Sequence, residues 1–220
     1  MSGSSAIRRL FGLAAIVLGG VGVWVAVSFF YSWSENRAFA ALRERSELNC
    51  AQTPLHCAVR DGDAGAISAF LDGGGDLELR DGWGRTALAW AAAHDSVAHM
   101  GRLLHAGAQP DAPNDAGRTA FAEAATRDKF EIADVLLEGG ADVDAMNGVE
   151  DRSTALHLCV MANRVACVRY LLERGPRPDV EDSYGYTAVE RAQTLPDVDP
   201  EIVALLVGGM TLHTRQSAPG

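Results

Sequence analysis

Lysine is almost missing from this chain: Lys129 stands alone against 18 arginines, a bias expected of a GC-rich, bacterial genome. Basic charge is short as a whole, with 19 Lys and Arg against 29 Asp and Glu. Its distribution is uneven. Residues 1–50 hold five arginines against three acids, a net +2, and residues 51–220 hold 14 basic against 26 acidic residues, a net −12. A nucleic-acid partner is therefore not expected, because phosphate binding needs clustered Lys and Arg. Catalytic signatures are missing too: there is no G-x-S-x-G, no glycine-rich phosphate loop, no H-E-x-x-H and no paired C-x-x-C. The six histidines do not cluster at metal-ligand spacing. No catalytic residue, cofactor or metal is expected, and the chain does not read as an enzyme.

What is present is a repeat. The stretch Thr53-Pro54-Leu55-His56-Cys57-Ala58 returns as Thr86-Ala87-Leu88, Thr119-Ala120-Phe121, Thr154-Ala155-Leu156-His157 and Thr187-Ala188-Val189, with the threonines 33, 33, 35 and 33 residues apart. A glycine follows each threonine by 21 residues, at Gly74, Gly107, Gly140, Gly175 and Gly208. Before the first four lie the pairs Phe70-Leu71, Leu103-Leu104, Leu136-Leu137 and Leu171-Leu172. Such a period means stacked supersecondary units.

The first copy matches T-P-L-H-x-A at every specified position, and the chain resembles the ankyrin repeat family. The resemblance implies an all-α solenoid of helix, turn, helix and projecting finger, with units starting at 53, 86, 119, 154 and 187. Each threonine is expected to cap its helix and Pro54 to sit at the first helical position. The first helices should stop near Gly62, Asp95, Asp128 and Asn163, residue types that tolerate a left-handed backbone. The fifth unit departs at Leu195–Pro200 and reads as a C-terminal cap, with the repeats ending at 208 and a disordered tail over 209–220.

Ahead of the repeats, residues 1–9 form a tail ending in Arg8-Arg9, and no charge falls between Leu10 and Ser34. Leu10 to Tyr31 would be about 33 Å long as a helix, enough to span a bilayer. We read residues 10–33 as a transmembrane signal anchor, with Phe29, Phe30, Tyr31 and Trp33 as its aromatic belt. Arg8-Arg9 places the repeats outside the cytoplasm, at a bacterial inner membrane; Arg37, Arg43 and Arg45 argue for the reverse orientation. A cleaved signal ending at Ala38-Phe39-Ala40, or a twin-arginine export signal, would also deliver the repeats across the membrane. Ala15/Gly19 and Gly22/Ala26 are small-residue pairs through which two such helices could form a weak homodimer. Residues 34–52 read as a linker and capping helix.

Cys57, Cys159 and Cys167 fall in helical columns and read as free packing residues, with Cys50 undetermined. The resemblance implies a structural hydrogen bond from His56 and His157 to a neighbouring loop. His99 reads as a satisfied, partly buried histidine. Asp142, Asp144, Glu150 and Asp151 make an acidic finger, which lacks a calcium-loop pattern and reads as solvated.

Function must then come from surface. In the ankyrin family contacts arise from finger tips and exposed positions of the first helices, which implies Trp83, Arg85, Arg118, Tyr184 and Tyr186 on fingers and Arg60, Trp90, Glu123 and Met161 on helices, with a core position the equal alternative for Trp90. The expected role is a membrane-anchored module that binds another protein, one of basic character given the acidic repeats. A periplasmic scaffold and an immunity protein against a toxin both suit it; an adaptor on the cytoplasmic face is the alternative.

Overall fold

The computed structural model of the chain describes residues 49–149 and 152–216. The expected anchor at 10–33, its small-residue pairs and almost all of the 34–52 segment lie outside the described residues. Among the described residues no helix is long and apolar enough to cross a membrane.

Ten helices are described: α1 (Pro54–Asp61), α2 (Ala64–Asp72), α3 (Ala87–Ala93), α4 (Val97–His105), α5 (Ala120–Thr126), α6 (Phe130–Glu138), α7 (Ala155–Met161), α8 (Val165–Leu172), α9 (Ala188–Thr194) and α10 (Pro200–Gln216). They pair as α1/α2 through α9/α10. The odd-numbered helices stack on one another along the chain, and α4 packs on α6 and α8 on α10 behind them. Two isolated antiparallel bridges, Asn147 with Ser153 and Glu181 with Thr187, are the strand-like pairings among the described residues.

The short helices stop where the backbone turns left-handed. Gly62, Asp95, Asp128 and Asn163 have φ of 69°, 58°, 57° and 54°. The next residue then donates its N–H back into the helix: Asp63 to Ala58, Ser96 to Ala91, Lys129 to Ala124 and Arg164 to Cys159, each at 2.9 Å. This closes the orphan carbonyls that every helix end leaves. The second helices end alike at Gly74, Gly107 and Gly140. Gly175 is also left-handed, at φ 66°, but Pro176 follows and has no N–H with which to close the turn. Gly208 differs: it stays helical, and α10 runs on to Gln216, past the residue at which the repeats were expected to end.

Thr86, Thr119 and Thr187 cap as expected, each accepting the backbone N–H three residues on. Thr53 does not; its hydroxyl donates instead to the Asn49 carbonyl at 2.9 Å. The core is one continuous column through the repeats, with Leu55, Ile67, Leu88, Met100, Leu103, Phe121, Leu136, Leu171, Ile202 and Leu206 fully buried. In the paired positions Leu103, Leu136 and Leu171 are buried, while their neighbours Leu104, Leu137 and Leu172 pack half-exposed against the core.

The cysteines correct the reading as free thiols. Cys50 is bonded to Cys57 and Cys159 to Cys167, with Cα separations of 5.6 and 5.8 Å, and no cysteine is free. Reading the repeat column by column compares equivalent positions in different units. It hides the fact that α7 and α8 of a single unit face each other at cystine distance, and that a turn at Asn49 folds Cys50 back onto α1.

Candidate functional site

The first, second and fourth fingers are each built on one side chain. Asp81 Oδ1 accepts the backbone N–H of Trp83 at 2.8 Å and of Arg85 at 2.9 Å. Asn114 does the same for Ala116 and Arg118, and Asp182 for Tyr184 and Tyr186. The tight turn that results needs positive φ one residue before the last donor, supplied by Gly84, Gly117 and Gly185. Consecutive fingers are then tied through backbone: Asp115 N–H donates to the Trp83 carbonyl at 3.0 Å and Gly148 N–H to the Gly117 carbonyl at 2.8 Å.

Four places after Thr86, Thr119 and Thr187, a side chain props the adjoining finger. Trp90 lies beneath the Arg85 guanidinium, 4.4 Å from ring centre to Cζ, and Arg85 is itself paired with Asp81 at 2.7 Å. Glu123 accepts from Asn114 Nδ2 at 2.9 Å. Arg191 pairs with the fully buried Asp182 carboxylate, its Nε at 2.8 Å, and sits 5.0 and 4.8 Å from the rings of Tyr184 and Tyr186. Burial by itself would raise the Asp182 pKa, but Arg191 and the N–H groups of Tyr186 and Tyr184 outweigh it and hold the carboxyl below its usual range.

For Trp90, where a contact and a core position were both open, the contact reading is corrected in favour of the core: the residue is 7% exposed and packs there. Its register position faces the finger base, and the alanines around it on α3 leave room for the ring to lie flat beneath Arg85. Trp83 is half-buried, Arg85 and Glu123 are half-buried and engaged, and Arg118 is exposed. Arg60 is exposed, pairs with Asp61 at 2.8 Å and reaches to 4.0 Å from Cys50 Sγ. Tyr184 is 63% exposed, with Tyr186 and Met161 also outside the core.

Sequence reasoning did not select Met146 and Val149, which stand exposed on the longer third finger, Val149 at 74%. The insertion around Asn147-Gly148 lengthens this finger and is the sequence signal for them. Asn147 accepts from the Thr119 backbone N–H at 2.8 Å and from its hydroxyl at 3.1 Å, anchoring the long finger on the preceding unit. Exposed large apolar side chains thus gather on the third and fourth fingers and α7, with Val207 the further one among the described residues.

Of the acids expected to be solvated, Asp142 is exposed, while Asp144 is half-buried and joins two loops. Asp111 accepts the Asp142 N–H and Asp144 the Arg177 N–H, both at 3.1 Å. Burial, and then the charge of Asp142, raises both carboxyl pKa values. Glu150 and Asp151 lie outside the described residues, and among the described residues no group of His, Cys, Asp and Glu is placed to hold a metal.

The histidines bond neighbouring loops. His56 Nε2 is 2.8 Å from the Arg85 carbonyl and His157 Nε2 is 3.0 Å from the Tyr186 carbonyl, so each donates there as a neutral ring. Burial lowers both pKa values. His99 is partly buried as expected, but its Nδ1 has no hydrogen-bond partner.

Comparison with known proteins agrees with this architecture. The family model of ankyrin repeats, three copies in length, matches residues 29–114, 55–147, 100–182 and 124–215. A putative palmitoyltransferase ZDHHC13 of Danio rerio is 32% identical over 141 residues, which is 64% of this chain and 22% of that protein. The chain thus spans under a quarter of the length of that relative. A family of this kind is consistent with a non-catalytic scaffold. With matches that together run from 29 to 215, the chain belongs to the ankyrin repeat family.

Proposed function

We propose that this chain is a membrane-tethered ankyrin module that binds another protein through its third and fourth fingers and the adjoining end of α7. One observation carries the reading: Tyr184 and Tyr186 are exposed while their own backbone N–H groups are held by a buried Asp182. Large aromatics on a rigid support lose little entropy on binding, the property of interface hot spots. Met146 and Val149 on the neighbouring finger, and Met161 on α7, extend the apolar surface. The net −12 of residues 51–220 suits a basic partner.

We place the repeats outside the cytoplasm of a bacterium, tethered by residues 10–33. The pairing of all four cysteines supports an oxidising compartment. Within that setting, an inhibitor of a basic toxin and a scaffold for an envelope enzyme use the same surface. Arg60, Trp83, Arg85, Arg118 and Glu123 belong to the flank of the proposed face.

The test is capture of partners from solubilised membranes by the full-length chain, compared with Tyr184→Ala and Tyr186→Ala. Each variant is expected to keep its melting temperature and to weaken the specific complex by about 2 kcal/mol, roughly 30-fold in Kd. Unchanged affinity with unchanged melting would remove the fourth finger from the interface. Orientation is checked separately by a reporter active only outside the cytoplasm, fused after Gly220.

A further inference from the structure

The first and fourth repeats share the Thr-x-Leu-His pattern and satisfy it differently. In the fourth, Thr154 is extended, with φ −73° and ψ 168°. His157 Nδ1 accepts its backbone N–H at 3.3 Å and lies 2.8 Å from its hydroxyl. In the first, Thr53 has φ −128° and ψ 60° and makes no cap bond. Its hydroxyl is turned to Asn49, and His56 Nδ1 is buried with no partner.

Pro54 does not account for the difference. A residue before proline prefers ψ of about 120 to 160°, the extended state of Thr154 rather than the one Thr53 adopts. What sets the first repeat apart is the closed ring of residues 50–57. The Cys50–Cys57 bond spans it, and the N–H groups of Gln52 and Thr53 fold onto the Asn49 carbonyl at 2.8 and 2.7 Å. Access also separates the two disulfides: Cys50 is exposed, whereas Cys159 and Cys167 are both fully buried. Arg60 Nη2, 4.0 Å from Cys50 Sγ, favours a thiolate on that sulfur.

We propose that the Cys50–Cys57 disulfide is a thiol-operated latch that sets the cap of the first repeat. Closed, it holds Thr53 on Asn49 and leaves His56 half-satisfied. Opened, it lets Thr53 take the extended conformation, cap α1 and hydrogen-bond His56 Nδ1 as Thr154 does for His157. The opening reagent is a dithiol. One of its thiolates attacks Cys50 Sγ, the bond to Cys57 breaks, and Cys57 leaves as a thiolate that takes up a proton. The second thiolate then attacks the mixed disulfide, so that the reagent becomes a cyclic disulfide and Cys50 departs as a thiolate beside Arg60. Two electrons pass to the cystine, and the protons shed by the dithiol are those taken up by solvent and the cysteines.

The latch is independent of any partner, so its failure leaves the finger surface standing and the reverse also holds. The full-length chain in detergent micelles is treated with dithiothreitol under native conditions, alkylated and mapped by mass. Modification of Cys50 and Cys57, with Cys159 and Cys167 modified only after denaturation, is the expected result. In the same sample the ¹⁵N resonance of His56 Nδ1 should move towards that of His157 Nδ1. Cys50→Ser/Cys57→Ser should show that shift without reductant, and Thr53→Val added to it should abolish the shift; if the serine variant fails to fold, Thr53→Val treated with dithiothreitol gives the same comparison. Joint reduction of both disulfides, resistance of both, or an unmoved His56 Nδ1 in the reduced chain overturns the proposal.

Discussion

Asp182 shows how much one side chain can carry here. It accepts two finger N–H groups, pairs with Arg191, and so fixes both exposed tyrosines. Asp182→Ala leaves a mostly buried guanidinium unpaired and should cost about 3 kcal/mol, read by denaturant unfolding. Asp182→Asn keeps a turn acceptor and should cost less. The buried histidines set the pH response near neutrality. Burial lowers the pKa of His56 and His157 from an ordinary 6.5, so the unfolded chain binds protons that the folded one refuses. Their contribution is complete above about pH 6.5 and is lost as pH falls below it towards the folded values. His157→Gln should flatten that part of the stability-pH curve. Asp111 and Asp144, raised above 3.8 by burial, act in the opposite sense and only at lower pH, where their protonation returns stability. The Asp182 bonds to its own finger are local, whereas those of Asp111 and Asp144 join positions more than 30 residues apart, which residue types alone do not report.

At the scale of elements, the helix ends and finger turns are local and were legible. A left-handed Asp95, Asp128 and Asn163 follow from residue type and position. The side-to-side contacts of the fingers were not. Gly117, at φ 72°, would place an added Cβ 2.6 Å from the Gly148 backbone. Gly117→Ala should therefore both strain the turn and break the link between the second and third fingers, lowering stability by about 1 to 3 kcal/mol. Gly62→Ala is the control, with a similar φ of 69° and open space around it; it should lose only the backbone term, about 1 kcal/mol. Leu136→Ala, at the fully buried position of α6, should cost about 2 to 5 kcal/mol.

For the whole molecule, stability is a sum of units and the faces between them. Ion pairs continue the stacking along the turns, Lys129 with Asp95 at 2.8 Å and Arg164 with Asp128, and Asn163 bonds the Asp197 carbonyl at 3.1 Å and the Asp199 N–H at 2.8 Å. On the outer layer Tyr170 stacks on Phe130 and donates to Asp134 at 2.8 Å, which joins α8 to α6. The first described unit buries less: α2 contributes Ile67 alone to the buried core, against Ile132, Ala133 and Leu136 from α6. Hydrogen exchange should accordingly open α2 before α6. Equal protection of the two would mean that the stack unfolds as one block.

The amino-acid sequence by itself determined the period, the helix pairs and their stops, because these depend on spacing, glycine and cap chemistry within a few residues of chain. The family resemblance also implied that His56 and His157 bond a neighbouring loop, and Nε2 does so in both copies. Only the tertiary structure decided which residues in those places are surface. Trp90 lies in the core because Arg85 folds over it, and Met146 and Val149 stand out because Asn147 anchors the long finger on Thr119. The disulfides belong to the same class, since covalent pairing depends on the distance between helix faces, and sequence spacing does not report that distance.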